Sequence, residues 1–181
     1  MELAVEVRAS SLILPQNQLL RRRVFQGEVA KLALRYLRAA RRRLDQRQYE
    51  LSVERELQAV LTELAEIAAW LLHDAGRQDA ARQAGYEALH LARLAGSPQQ
   101  LDLFILGNLA HVEIFTGRPG AALHIARHAL ESGSLTSRMT AMFKIREARA
   151  LAQLGDKSGT KRALESARSH LLDGLSAQDP P

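Results

Sequence analysis

The sequence predicts an all-α fold, a TPR-like α-solenoid of antiparallel helical hairpins preceded by a long basic helix. Three observations support this fold class. Apolar residues recur at helical spacing along most of the 181 residues. The chain is 46% hydrophobic but only 4% aromatic, and its alanine- and leucine-rich segments favour helix over sheet. Glycines follow the apolar segments at regular intervals, which is typical of a helical repeat.

Composition and length indicate a single soluble domain without disulfides or thiolate metal sites. The chain contains no cysteine, and its hydrophobic content is enough to bury a core. No apolar segment reaches the roughly 18 residues of a candidate transmembrane helix. The first residues, MELAVE, lack the basic and apolar regions of a secretory signal. We therefore expect a cytoplasmic protein without membrane contact.

The chain divides into four predicted segments. Residues 1–14 are expected to be a tail, because their brief strand-like alternation has no partner strand downstream. Residues 15–50 are expected to form the N-terminal basic helix, a connector or dimer seam that Gly27 would interrupt or kink. Residues 51–174 are expected to form the repeat domain and residues 175–181 a disordered tail.

Six further helices are predicted from apolar periodicity, caps and turn residues. Ser52 is expected to cap the first of them, which extends to Ala75 and stops at Gly76. The others are expected at 78–95, 99–116, 119–132, 136–154 and 158–173, with glycine or proline in most of the turns.

Three turn glycines, Gly76, Gly117 and Gly155, define the repeat. They are separated by 41 and 38 residues, and each has an alanine 7 residues before it and another 12 residues after it. Small residues are expected there because the two helices of a hairpin cross closely, and a large side chain would hold them apart. Alanines at the equivalent positions are Ala69, Ala81, Ala88, Ala110, Ala122, Ala129, Ala148 and Ala167. Thr160 replaces an alanine in the third repeat.

This pattern resembles tetratricopeptide (TPR) repeats, which carry small residues at these positions of each hairpin. The spacing exceeds the roughly 34 residues of a TPR. The aromatic residue usual four positions before the turn glycine is replaced by Leu72, Glu113 and Leu151. We therefore call the expected fold TPR-like, with lengthened helices. The resemblance implies a superhelix whose concave groove is lined by the first helix of each hairpin.

Three segments also resemble the C-terminal sensor regions of actinobacterial Xre-type helix-turn-helix transcriptional regulators, in which a long basic helix precedes TPR-like repeats. They are ELAEIAAWL (63–71), NLAH (108–111) and REARALA (146–152), and the similarity covers about residues 35–170. The start of the sequence shows no DNA-binding motif. The resemblance therefore implies a fragment of such a regulator or a stand-alone relative, with DNA contact only through a separate domain or partner.

The TPR resemblance also implies a set of groove residues. They are Glu66, Trp70, His73, Phe104, Asn108, His111, Phe115, Met142, Arg146 and Arg149. Asn108 and Arg146 occupy positions where TPRs that clamp a carboxylate hold these residue types, but Ile67 and Met142 replace other polar or basic members of the clamp. For the three aromatic residues, packing between repeats is the alternative, since aromatic residues at helical spacing are more often core than pocket.

The remaining polar residues give no catalytic or metal-binding motif. His73 is followed by Asp74, but neighbouring residues on a helix point in different directions, so a solvated helix end is the expected interpretation. His124 and His128 have the spacing of two metal ligands, yet no third ligand accompanies them. We find no nucleophile elbow, phosphate-binding glycine loop or zinc-protease motif. We expect no enzyme activity, cofactor or metal.

The N-terminal part of the chain is basic. Residues 1–55 hold 12 basic and 6 acidic side chains, and Arg35, Arg38 and Arg42 share one face of the predicted helix. This face is expected to be solvated, to contact another subunit, or to contact nucleic acid or lipid headgroups non-specifically. Without interleaved aromatic residues, sequence-specific DNA recognition is not expected.

Two functional hypotheses follow from these features. The first is a regulatory binding module whose groove accepts a peptide, a small effector or a partner protein and passes its occupancy on to a DNA-binding partner. The second is a protein–protein interaction scaffold or oligomerisation domain without a small-molecule ligand, and a homodimer is one form of it. A polar cavity favours the first hypothesis, and an apolar trough favours the second.

Overall fold

The computed structural model describes residues 16–47, 49–133 and 135–173, and within these ranges it contains helices and no strand. Seven α-helices follow one another within these ranges, which confirms the all-α class. They are α1 (Gln16–Asp45), α2 (Glu54–Asp74), α3 (Gln78–Ala95), α4 (Gln99–Phe115), α5 (Pro119–Glu131), α6 (Ser137–Gln153) and α7 (Lys157–Asp173). A short 3₁₀ turn, Leu51–Val53, precedes α2. The predicted tails, residues 1–14 and 175–181, lie outside the described residues.

The helices pack as two sets with different spacing. Each helix contacts the next one in the chain, and α4 also contacts both α2 and α6. Among the described residues, α3, α5 and α7 make no equivalent contacts with one another. Helices α2, α4 and α6 therefore form the more closely spaced side of the stack.

The turn inside each hairpin requires glycine. Gly76, Gly117 and Gly155 have φ values of 76°, 70° and 81°, which lie in the left-handed region that side chains with a Cβ rarely adopt. The next amide then bonds back to the helix, for example from Arg118 N to Glu113 O at 2.9 Å. These bonds satisfy carbonyls at the helix end and reverse the chain into the second helix of each hairpin.

The core lies where the predicted small residues meet. All eight alanines named for the helix crossings are buried, and the most exposed of them, Ala69, is 8% exposed. The largest fully buried side chain is Phe143, which packs against Leu103 of α4 and against Ala126 and Ala129 of α5. Alanine at the crossings therefore lets the helices approach closely, while a few large side chains fill the space between hairpins.

Three local predictions are wrong. Ser52 does not cap α2, which begins at Glu54 after the 3₁₀ turn and has no side-chain cap. Its first turn instead contains two glutamates, which interact favourably with the helix dipole. Helix α1 continues through Gly27. The helical spacing of apolar residues in α1 also predicts that Tyr36 is buried, but it is 57% exposed, because α1 buries only a narrow stripe of residues that includes Ala33 and Leu37.

No helix in the described part of the chain is long and apolar enough to cross a membrane. The two longest, α1 and α2, carry many charged residues, and the most apolar, α4, has only 17 residues.

Candidate functional site

The closely spaced helices α2, α4 and α6 supply every predicted groove residue. Glu66, Trp70 and His73 lie on α2, Phe104, Asn108, His111 and Phe115 on α4, and Met142, Arg146 and Arg149 on α6. The structure joins most of them in contacts between neighbouring helices. The site has three parts: a group of aromatic rings, a pair of arginines and a cavity.

Four rings from two helices form an aromatic cluster, which we define as Trp70, His73, His111 and Phe115. His111 is central, with its ring centroid 4.9 Å from that of His73, 4.8 Å from Phe115 and 6.1 Å from Trp70. His73 also lies 5.0 Å from Phe115 and 5.6 Å from Trp70. The cluster therefore spans the junction between α2 and α4.

The aromatic residues of this face are not core residues, so that alternative is wrong. Trp70 is 41% exposed, Phe104 51% and Phe115 50%. Smaller buried residues such as Ala69 of α2 and Val112 of α4 share a core cluster beneath this face, which leaves the rings at the surface. Half-exposed aromatic rings offer flat apolar area to a ligand at little cost in side-chain entropy.

Two arginines of α6 border the aromatic cluster. The guanidinium carbon of Arg149 lies 5.2 Å from the centroid of the Phe115 ring, a cation–π contact. Nε of Arg146 donates to the carbonyl oxygen of Gly107 at 3.3 Å. Among the described residues, neither arginine forms an ion pair with a carboxylate. Burial, and then the charge of Arg149, lower the pKa of Arg146.

The two histidines of the cluster have different surroundings. Burial, together with the positive charges of Arg146, His73 and Arg149, lowers the pKa of His111 to about 4. Nδ1 of His111 is buried and has no hydrogen-bond partner in the described part of the chain. His73 is partly buried and its Nδ1 donates to Oε1 of Gln78 at 2.7 Å, so the expectation that it lies at a solvated helix end is wrong.

A cavity of about 370 Å³ adjoins the aromatic cluster. Trp70 and Phe104 line it together with Ile67, Leu71, Glu66 and Asn108. Nδ2 of Asn108 donates to Oε1 of Glu66 at 2.7 Å. Burial raises the pKa of Glu66, although this hydrogen bond opposes the change. The carboxylate of Glu66 is therefore engaged by an amide and does not neutralise either arginine.

Other predicted residues lie apart from this site or beneath it. Met142 packs with Phe143 in the core between hairpins, and its terminal methyl group lies against Gly107 of α4. Arg35, Arg38 and Arg42 are exposed on α1, which contacts neither α4 nor α6 among the described residues.

The two histidines at metal-ligand spacing lie on a different helix. His124 and His128 are stacked on α5 with ring centroids 6.5 Å apart. No group of three potential metal ligands occurs in the ranges that the structure describes.

Sequence reasoning missed two buried glutamates that form ion pairs with neighbouring helices or their own helix. The side chain of Glu113 on α4 is fully buried and accepts hydrogen bonds from Arg82 Nε at 2.8 Å and Tyr86 OH at 2.9 Å. Arg127 and Lys144 bond to the buried Glu147, and together they lower its pKa although burial acts to raise it. A signal was present, because Glu113 stands where the other two repeats have leucine.

The arrangement suits recognition of an anionic group next to an apolar one. Two guanidinium groups that form no ion pair among the described residues border the site, while the aromatic rings and the cavity offer apolar area. No protein-family model matches this chain, and no significant match is found among curated proteins or solved structures.

Proposed function

We propose that this chain is a TPR-like regulatory binding module whose α2–α4–α6 face binds a ligand with an anionic group and an adjoining apolar part. The ligand class is a peptide or a small effector. One observation carries the proposal: Arg146 and Arg149 lie beside a half-exposed aromatic cluster without a carboxylate to balance them in the described part of the chain.

The electrostatics of the site support an anion. A partly buried cation without a counter-ion loses hydration, and the lowered pKa of Arg146 reflects that cost. A bound carboxylate or phosphate would offset the cost by accepting charge-assisted hydrogen bonds from the guanidinium groups. The buried Nδ1 of His111 adds a polar atom that lacks a partner among the described residues.

The apolar part of the ligand would lie on Trp70 and Phe104. Both line the cavity of about 370 Å³, a size within the usual range for small-molecule sites. In the regulator family that the sequence resembles, occupancy of such a site would be transmitted through α1 to a DNA-binding domain or partner. This regulatory role is part of the proposal and rests on that resemblance.

A thermal-shift screen of the purified chain tests the proposal. The panel contains aromatic carboxylates, nucleotides, and peptides with free or amidated C-termini. A ligand of the native state raises the melting temperature by mass action. We expect Arg146→Gln to weaken binding by about tenfold or more, since a charge-assisted hydrogen bond contributes about 1.5–3 kcal/mol.

Arg168→Gln is the matched control, because Arg168 is exposed on α7, away from the site. It should leave the affinity unchanged. A ligand whose affinity survives both Arg146→Gln and Arg149→Gln would contradict the proposed site. A panel in which only uncharged compounds bind would contradict the anionic ligand class.

A specific observation also favours the second hypothesis, an oligomerisation or scaffold domain. Helix α2 exposes a strip of aliphatic residues, including Val60 at 60% and Ile67 at 50%. This strip suggests a protein partner and is a separate surface from the pair of arginines.

A further inference from the structure

Helix α4 packs on the hairpin that precedes it through three positions, which stand 16, 12 and 9 residues before Gly117. Leu101 and Ile105 join the core cluster formed by α1, α2 and α3. Asn108 donates to Glu66 of α2 at 2.7 Å. These three positions therefore form the contact between successive hairpins.

Helix α6 uses the equivalent positions, counted from Gly155, in the same way. Met139 and Phe143 join the cluster that contains Leu103 of α4 and Ala126 and Ala129 of α5. Nε of Arg146 donates to the carbonyl oxygen of Gly107 on α4. In both later hairpins, the first helix is thus covered by the two helices before it.

The equivalent positions of α2 are Val60, Leu64 and Ile67. Leu64 packs against the core cluster that α1, α2, α3 and α4 share, but Val60 and Ile67 are not covered in this way. Val60 is 60% exposed and Ile67 50% exposed, because α1 alone precedes α2. Val53, 39% exposed, continues the row at heptad spacing. We call Val53, Val60, Leu64 and Ile67 the α2 seam. It borders a cavity of about 680 Å³ between α1 and α2.

Helix α1 begins well before the first of its described side chains that joins a core cluster. Among described side chains, the contribution of α1 to the core clusters begins at Ala30, which packs with Leu72 near the end of α2. Helix α1 begins 14 residues earlier, at Gln16. At a rise of about 1.5 Å per residue these residues span about 21 Å, the same length as the α2 seam from Val53 to Ile67.

Charge and sequence pattern match this half of α1 to the α2 seam. Its sequence carries Leu20 and Val24 at helical spacing and the basic run 21–23. Glu56 and Glu63 are exposed on α2 next to the α2 seam, and neither forms an ion pair among the described residues. Arg43 lines the α1 side of the cavity, so the acidic border belongs to the α2 side of the groove. A basic amphipathic helix complements apolar residues with an acidic border of this kind.

This half cannot reach the α2 seam of its own chain. Helix α1 is continuous from Gln16 to Asp45, so its first residues lie about 21 Å beyond the contact between Ala30 and Leu72. They point away from Val53 and Val60 unless the helix breaks. A second copy of the chain is therefore the occupant that the geometry favours.

We propose that residues 16–29 of one copy lie in the α2 seam of a second copy and that the exchange is reciprocal. The result is a closed two-fold dimer in which each α1 supplies the missing first helix of the partner's N-terminal hairpin. This inference does not depend on the proposed ligand. It assigns the N-terminal half of α1 a role in pairing.

Light scattering and sedimentation equilibrium of the full chain test the proposal. The unchanged chain should have the mass of a dimer. Val60→Glu should weaken the dimer by about 100-fold, since the change occurs twice in each dimer and places a carboxylate in an apolar contact. Leu172→Glu is the control, because Leu172 is 62% exposed on α7 and should leave the dimer unchanged.

The absence of cysteine allows a direct contact test. A chain with Val24→Cys and Val60→Cys should form a disulfide between copies, which gives a dimer in a denaturing gel. Arg22→Glu should weaken the dimer. Mixing this chain with a second chain that carries both Glu56→Lys and Glu63→Lys should give a heterodimer, because opposite charges then face each other.

Three results would overturn the proposal. The first is a monomeric unchanged chain at all concentrations. The second is a dimer that Val60→Glu leaves intact, and the third is a disulfide formed within one chain. Circular dichroism of Val60→Glu separates loss of pairing from loss of folding.

Discussion

Acidification is expected to destabilise the protein through His111. The folded protein holds the pKa of this imidazole at about 4, whereas the ordinary value is 6.5. Between these values the unfolded chain binds a proton more readily than the folded chain, so stability falls as pH falls from about 6.5 towards 4. Above pH 6.5 the imidazole is neutral in both states and the effect is absent.

The size of the effect follows from the two pKa values. Together they imply that the free energy of unfolding falls by about 2 kcal/mol between pH 7 and pH 5. His111 is only partly buried, and solvent screens its interactions with Arg146 and Arg149. We therefore expect about 1 kcal/mol, which corresponds to a roughly fivefold change in the folding equilibrium constant.

Urea unfolding at pH 7 and pH 5, followed by circular dichroism, measures this loss. The comparison is between the unchanged chain and His111→Gln, with His90→Gln on the exposed face of α3 as the control. Other groups titrate in all three proteins, so the difference between them isolates His111. The unchanged chain and the control should lose about 1 kcal/mol more than His111→Gln. Equal losses in all three would refute the reasoning.

Two further predictions concern the fold. Arg82→Met should lower the free energy of unfolding, measured in urea, by about 3 kcal/mol, because it leaves the buried Glu113 carboxylate without its ion pair. Glu113→Leu should lower it by only about 1 kcal/mol, because Arg82 and Tyr86 reach water. The reverse order would contradict this account. Gly117→Ala should lower stability by about 1 kcal/mol, since φ is 70° there, and an unchanged melting temperature would show that the turn relaxes without strain.

Helix positions could be predicted well because each hairpin repeats the same local signals. Helix α3 spans Gln78–Ala95 as predicted, and the other repeat helices differ from prediction by at most two residues at either end. Alanine at close crossings and glycine at positive φ are requirements of the backbone, so they are visible in a single sequence. The Ser52 cap failed because a 3₁₀ turn places Val53 at the start of the helix instead.

The site was less predictable, because it depends on contacts between hairpins. The resemblance to TPRs assigned Asn108 and Glu66 to one groove but predicted no specific contact between them, and the structure joins them by a hydrogen bond. It gave no information about which arginines lack a carboxylate partner. That property depends on Arg82 and Arg127 reaching buried glutamates on neighbouring helices while Arg146 and Arg149 reach none among the described residues. Pairings across 20 to 31 residues of sequence leave no periodic signal.

The two proposals meet on helix α2, and this gives a last prediction. Ile67 belongs to the α2 seam and also lines the cavity with Trp70 and Phe104. A ligand in the cavity therefore touches a residue that pairing would cover. We expect the affinity for a ligand identified in the thermal-shift screen to depend on protein concentration, with different values below and above the dimer dissociation constant.

Thermodynamic linkage makes this prediction strict. If pairing changes the ligand affinity of each site by some factor, saturating ligand must change the dimer association constant by the square of that factor, because each dimer binds two ligands. Isothermal titration at several protein concentrations measures the first factor, and sedimentation with and without ligand measures the second. In Val60→Glu the concentration dependence should disappear while the contribution of Arg146 remains. Ligand affinity independent of concentration in a protein that does dimerise would mean that α2 keeps its two surfaces energetically separate.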